Sequence, residues 1–159
     1  MTKIIFTEGS TEFPKLCDFA CKLSDSDPKL DIFYQSFYHH KLKEKMQKHG
    51  VTLIVKYESI DWVKNNFDLA ISHAGAGTIF TFLEHSVPLV VVPNMQRIDK
   101  HQEDIANYLV AKNYAKVAKD FNSLLEILRG KAFLETCKYV NESPFEITTL
   151  ENWIDVIES

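Results

Sequence analysis

The chain has 159 residues, 45% of them hydrophobic and 25% charged, which fits one globular domain with a proper core and is short for a two-domain enzyme. The formal net charge of −4 argues against a nucleic-acid partner, which needs a concentrated basic face. No charged-then-apolar leader opens the sequence and no apolar run approaches the ~20 residues of a membrane-spanning helix, so the chain is expected to be soluble by itself.

In chain order, strand and helix signals alternate. Lys3 to Thr7 is a β-rich run, followed by the polar turn Glu8-Gly9-Ser10-Thr11. A helix from about Phe13 to Ser24 is predicted by the helical spacing of Phe13, Leu16, Cys17, Ala20 and Cys21. Asp25 to Pro28 reads as a polar break. A second strand over Leu30 to Tyr34, a helix over Tyr38 to Lys48 and a third strand over Val51 to Tyr57 come next. After a short helical turn at Asp61 to Asn66 come a strand at Asp68 to Ile71, a helix from Gly77 to His85, a strand at Leu89 to Val92 and a helix from Lys100 to Lys112. Ala115 to Ala118 is a candidate edge strand and Phe121 to Leu128 a candidate helix. Beyond Pro144, residues Ile147, Leu150, Trp153, Ile154 and Ile157 form an apolar helical face that should dock, either in cis or on a partner. This rhythm predicts an α/β fold, a Rossmann-like parallel sheet with helices on both faces. Residues 1–130 are read as the ligand-binding domain and 131–159 as a C-terminal extension.

The cysteines Cys17, Cys21 and Cys137 form no CxxC pair. Cys17 and Cys21, four apart on one predicted helix, read as buried thiols of a reducing compartment. The basic run Lys41, Lys43, Lys45 and Lys48 reads as a solvated helix face.

Three constellations could carry chemistry. In Ser72-His73-Ala74-Gly75-Ala76-Gly77-Thr78 a strand runs through a glycine turn into a helix, which aims backbone N–H groups and the positive end of the helix dipole at one place. Gly75 and Gly77 permit close backbone approach; GxGxxG and the P-loop lysine are absent. In Asp99-Lys100-His101-Gln102, Asp99 and Gln102 have the spacing of a capping box, and His101 and Gln102 would present side-chain donors at the same sheet edge. Gly9-Ser10 forms a turn after the first strand. The Asp25-Ser26-Asp27 run has the spacing of a DxD cation chelator but lies in a polar break and reads as a loop. GxSxG is absent, and no residue stands out as a catalytic acid or base.

The two motifs Ser72–Thr78 and Asp99–Gln102, separated by Val87-Pro88-Leu89-Val90-Val91-Val92-Pro93, closely resemble the C-terminal, donor-binding half of GT-B glycosyltransferases. Within that group the similarity is to the catalytic subunit of two-subunit UDP-N-acetylglucosamine transferases of dolichol-linked oligosaccharide synthesis, and to the peptidoglycan lipid-intermediate transferases. Phe6 to Thr11 with Phe13 resembles the first strand and loop of the group, and the match spans about Ile4 to Lys119. The resemblance implies donor contacts at Gly9, Ser10, Ser72, His73, Gly75, Ala76, Gly77, Thr78, His101 and Gln102, with His73 the candidate for a catalytic group. It implies inverting transfer of N-acetylglucosamine from UDP-N-acetylglucosamine, with no metal cofactor, to N-acetylglucosaminyl-diphospho-dolichol. It also implies a heterodimer with a membrane-anchored, acceptor-binding subunit that recruits this chain to the cytosolic face of the endoplasmic reticulum. Many relatives carry an acidic ribose ligand where this chain has Thr81, leaving Thr81 and the next-turn Glu84 as the ribose candidates. A non-catalytic nucleotide-sugar module and a bacterial exopolysaccharide transferase subunit are the alternatives.

Overall fold

The computed structural model describes residues 1–96 and 100–140. Its strands are β1 (Thr2–Thr7), β2 (Leu30–Gln35), β3 (Thr52–Ile54), β4 (Leu69–His73), β5 (Leu89–Val92) and β6 (Lys116–Val117), and its helices are α1 (Pro14–Ser26), α2 (His39–Lys48), α3 (Ile60–Asn66), α4 (Ala76–Glu84), α5 (His101–Lys112) and α6 (Phe121–Arg129). A single 3₁₀ turn follows at Ala132–Leu134. The strands form one sheet in the order β3-β2-β1-β4-β5-β6, with every pair parallel, as the alternating rhythm predicts.

Burial on both faces explains the unbroken apolar strands. Ile4, Phe6, Ile32, Leu69, Ile71, Val90 and Val92 face α1, α2 and α6 through Leu16, Cys17, Ala20, Met46 and Leu124. Ile5, Ala70, Leu89 and Val91 face α3, α4 and α5 through Val63, Ile79, Phe82, Ile105 and Leu109. Cys17 and Cys21 are buried free thiols, and burial pushes the Cys17 thiol up to about 12.

Several boundaries differ from expectation. The predicted break at Asp25 to Pro28 begins inside α1, which runs on to Ser26; Asp25 pairs with His49 at 2.8 Å and Asp27 accepts from Lys29 N, so the DxD carboxylates are engaged locally. Strand β3 stops at Ile54, three residues short of Tyr57, because pairing with β2 ends at Gln35↔Ile54. Gln35 Nε2 then takes the Val55 carbonyl at 2.9 Å and Tyr57 turns onto Phe82.

Residues beyond α6 pack back on the domain. Phe133 joins the first core, and Tyr139 lies against Tyr114 and Phe80 with ring centroids 5.1 and 5.8 Å apart. The apolar face predicted at Ile147, Leu150, Trp153, Ile154 and Ile157 lies outside the described residues, as does Asp99.

The order of strands fixes where a ligand can sit. From β1 the chain winds outward to β3, then returns to lay β4 on the other side of β1. The loops leaving β1 and β4 diverge at this switch point and open a crevice at the carboxyl ends of the strands.

Candidate functional site

A cleft of about 500 Å³ occupies that crevice. Thr7, Gly9 and Ser10 of the β1 wall meet His73 and Gly75 to Thr78 of the β4 wall, so two constellations remote in sequence share one cavity. Its other side is built by Gln35 at the end of β2 and Phe37 just beyond it, and by Lys56 and Tyr57 after β3.

The His73 ring joins the two glycine turns. A Cβ on Gly9, whose φ is +71°, would lie 2.5 Å from His73 Cε1, and one on Gly75 would lie 2.1 Å from Nε2. A side chain at either position would have to displace the imidazole wedged between them. His73 Nδ1 sits 3.3 Å from the Thr7 carbonyl. Since a carbonyl only accepts, that contact puts a proton on Nδ1 and leaves Nε2 on the Gly75 side.

Helix α4 begins at the floor of the cleft. Gly75 is its N-cap without a side-chain cap, no acidic residue occupies the first turn, and the first intrahelical bond at the cap is Ile79 N to Gly75 O. The N–H groups of Ala76, Gly77 and Thr78 therefore have no acceptor within the helix and line the cavity at its positive end. Such an end accommodates an anion.

The remaining predicted residues take other places. Ser72 is fully buried and donates to its neighbour's carbonyl, His73 O, at 2.9 Å. Gln102 is 5% exposed, and its Oε1 accepts from Ala74 N at 3.1 Å and Asn94 N at 2.8 Å, tying the β4–α4 loop to the β5–α5 loop. It does not serve as the reciprocal arm of a capping box, since Lys100, with φ 47°, is the N-cap of α5. His101 opens α5 with a buried Nδ1 and does not line the cleft. Thr81 Oγ1 bonds back to Gly77 O at 2.7 Å, and Glu84 ends α4 exposed; neither lines the cleft.

Glu8, expected in an open polar turn, is 2% exposed. Its carboxylate accepts from Tyr34 Oη at 2.7 Å, from Phe13 N at 3.2 Å and from the Ser36 hydroxyl. Ser36 Oγ in turn accepts from Tyr38 N at 2.9 Å, and Tyr38 Oη donates to Ser10 O at 3.3 Å. Burial and the Glu8 charge both raise the Tyr34 pKa, so the phenol keeps the proton it donates. This closed set of bonds fastens the first glycine loop to the start of α1 and to the loop after β2.

Sequence reasoning missed Gln35, Phe37, Lys56 and Tyr57. Each lies at or just beyond the carboxyl end of a strand, and a correct end to β3 together with the strand order would have found them. Among the described residues no group of His, Cys, Asp and Glu has the arrangement of a metal site.

Comparison with known proteins agrees with this architecture. The subunit ALG13 of a UDP-N-acetylglucosamine transferase from Cryptococcus neoformans is 32% identical over 81 residues, 49% of this chain and 40% of that protein. Its namesake in Saccharomyces cerevisiae is 37% identical over 70 residues, 44% of this chain and 34% of that protein. The aligned parts thus cover less than half the length of these relatives. Among solved structures, an NMR structure of ALG13 superposes with a TM-score of 0.60 at 22% identity, covering 99% of this chain and 98% of that one. Acinetobacter baumannii MurG gives 0.60 at 19% identity, covering 99% of this chain and 52% of that one. Both likenesses speak for the fold. The glycosyltransferase family 28 C-terminal domain matches residues 3–132, and the chain belongs to that family.

Proposed function

We propose that this chain is the donor-binding half of an inverting glycosyltransferase that takes N-acetylglucosamine from UDP-N-acetylglucosamine. The observation that carries the reading is the cleft at the switch point, where the uncapped start of α4 and the Gly9-Ser10 turn face one cavity. Displacement at the anomeric carbon by an acceptor hydroxyl breaks the bond from sugar to diphosphate and leaves charge on the departing oxygen. Preorganised N–H groups at Ala76, Gly77 and Thr78 stabilise that charge as it develops. Among the described residues no carboxylate lines the cleft, so none of them supplies a carboxylate base for the acceptor or a carboxylate ligand for a divalent ion. The base is assigned to a partner, and transfer is expected to survive EDTA.

The names of the relatives, each a transferase "subunit", support a heterodimer. The partner in this reading is a membrane-anchored subunit that binds N-acetylglucosaminyl-diphospho-dolichol and recruits the chain to the cytosolic face of the endoplasmic reticulum. Among the described residues no helix is long and apolar enough to cross a membrane; in this reading the partner supplies the anchor. The test is an amide chemical-shift titration with UDP-N-acetylglucosamine, UDP-glucose and UDP, followed by reconstitution with the membrane subunit. Shifts at Gly9, Ser10 and Gly75 to Thr78, strongest for the N-acetylated sugar, are expected, with transfer only in the complex.

A non-catalytic nucleotide-sugar module is the second reading. It is favoured by the loss of an acid at Thr81, whose hydroxyl is spent on Gly77 O. A stable complex that binds donor and transfers nothing to any lipid-linked acceptor would establish it. Transfer to a bacterial exopolysaccharide lipid instead would reassign the acceptor alone.

A further inference from the structure

Among the described residues, Lys56 is the one lysine or arginine that lines the donor cleft, and no aspartate or glutamate lines it. In a chain of net charge −4, a cavity whose described lining carries an ammonium and no carboxylate is a local reversal of sign. Lys56 takes part in none of the ion pairs among the described residues. On the β1 loop, the Glu8 carboxylate is sequestered inside by Tyr34, Ser36 and Phe13 N.

The backbone on either side of Lys56 is anchored. Gln35 Nε2 holds the Val55 carbonyl at 2.9 Å, and Gln35 is itself held by Thr7 Oγ1 at 2.7 Å. On the other side the Tyr57 ring packs on Phe82 with centroids 6.1 Å apart. The side chain of Lys56 is left exposed between two fixed points. It stands on the β3 wall, opposite the α4 N-terminus across β2 and β1. The cleft is therefore positive from both sides, by partial charges at α4 and by a full charge at Lys56.

We propose that Lys56 supplies the counter-charge for the diphosphate of the donor, closing on it from the wall opposite the glycine turns. This assignment rests on the donor-binding reading above and adds to it a residue outside both glycine turns. The nucleoside is uncharged, so Lys56 discriminates by charge: it acts on UDP and UDP-sugars and leaves uridine untouched.

The test measures UDP and uridine binding to the full chain by amide-shift titration or calorimetry, for wild type, Lys56→Ala and Lys56→Arg. Because Lys56 is exposed, Lys56→Ala should fold, and unchanged shifts in the sheet core check that. Loss of about fivefold in UDP affinity is expected of an exposed, screened ion pair, with uridine affinity unchanged and Lys56→Arg within about twofold of wild type. Added sodium chloride should weaken UDP binding to wild type more than to Lys56→Ala. Equal losses for UDP and uridine, or UDP affinity unaltered in Lys56→Ala, would overturn the assignment while leaving the donor-binding reading intact. Failure of wild type to bind UDP at all would sink both.

Discussion

Glu8 and Gln102 illustrate how single polar side chains do the work of loop-building here. Removing the Glu8 carboxylate leaves Tyr34 Oη, the Ser36 hydroxyl and Phe13 N without their acceptor in a buried place, and an unsatisfied buried donor costs more than the bond it made. Glu8→Ala should lose about 3 kcal/mol of stability in urea unfolding. Glu8→Gln, which keeps a carbonyl oxygen in the same place, should lose about 1 kcal/mol; equal losses for the two would show that packing volume is what matters. At Gln102 one oxygen receives amides from two loops. Gln102→Ala should cost about 2 kcal/mol and speed hydrogen exchange at Ala74 and Asn94 together, whereas exchange accelerated at only one of them would mean the loops are held separately.

Elements were legible in proportion to how locally they are determined. Strands β1, β4 and β5 could be read within about two residues because runs such as Leu89 to Val92 are buried on both faces. The end of β3 could not, since Val51, Leu53, Val55 and Tyr57 continue an alternating pattern while the hydrogen bonding stops at Ile54; the stop is imposed by Gln35, a residue of another strand. That misplacement hid Lys56 and Tyr57. The glycine turns were visible as composition, but their shared cause, a ring from one filling space beside the other, exists only in three dimensions.

Helix α6 allows a pH prediction at this scale. Asp120 caps it, accepting from Ser123 N at 2.7 Å while Ser123 Oγ accepts from Asp120 N at 3.2 Å. The Ser123 backbone bond, then its hydroxyl, holds the Asp120 carboxyl below its ordinary 3.8. A lowered folded-state pKa means the contribution is complete above the ordinary value and fades as pH falls through the folded one. Helix α6 should therefore lose protection from hydrogen exchange below about pH 4, and Asp120→Ala should remove that pH dependence; an acid-induced loss that persists in Asp120→Ala would assign it to other groups.

At the scale of the molecule, the sheet divides labour. Strands β3, β2, β1 and β4 present their ends to the cleft, and β5 supports it from beside β4, its following loop held by Gln102. A ligand that binds this folded edge and not the unfolded chain must raise stability by mass action. UDP at a hundredfold excess over its Kd should add about 2.7 kcal/mol, read as a rise in Tm, and the rise should be smaller for Lys56→Ala at the same UDP concentration. A rise of the same size with uridine at equal concentration would place recognition on the nucleoside.

The imidazole between Gly9 and Gly75 also constrains how this chain can change over generations. With His73 placed as it is, a methyl group at either glycine meets the ring at 2.5 or 2.1 Å, so the imidazole must swing away or shrink to admit it. Once position 73 carries a small side chain, Gly75, whose φ of −79° suits any residue, is released, whereas Gly9 stays bound by its φ of +71°. A smaller residue at position 73 thus eases growth at Gly75 but not at Gly9, and lineages that have replaced Gly75 should tend to carry a smaller residue at position 73 while still keeping glycine at position 9.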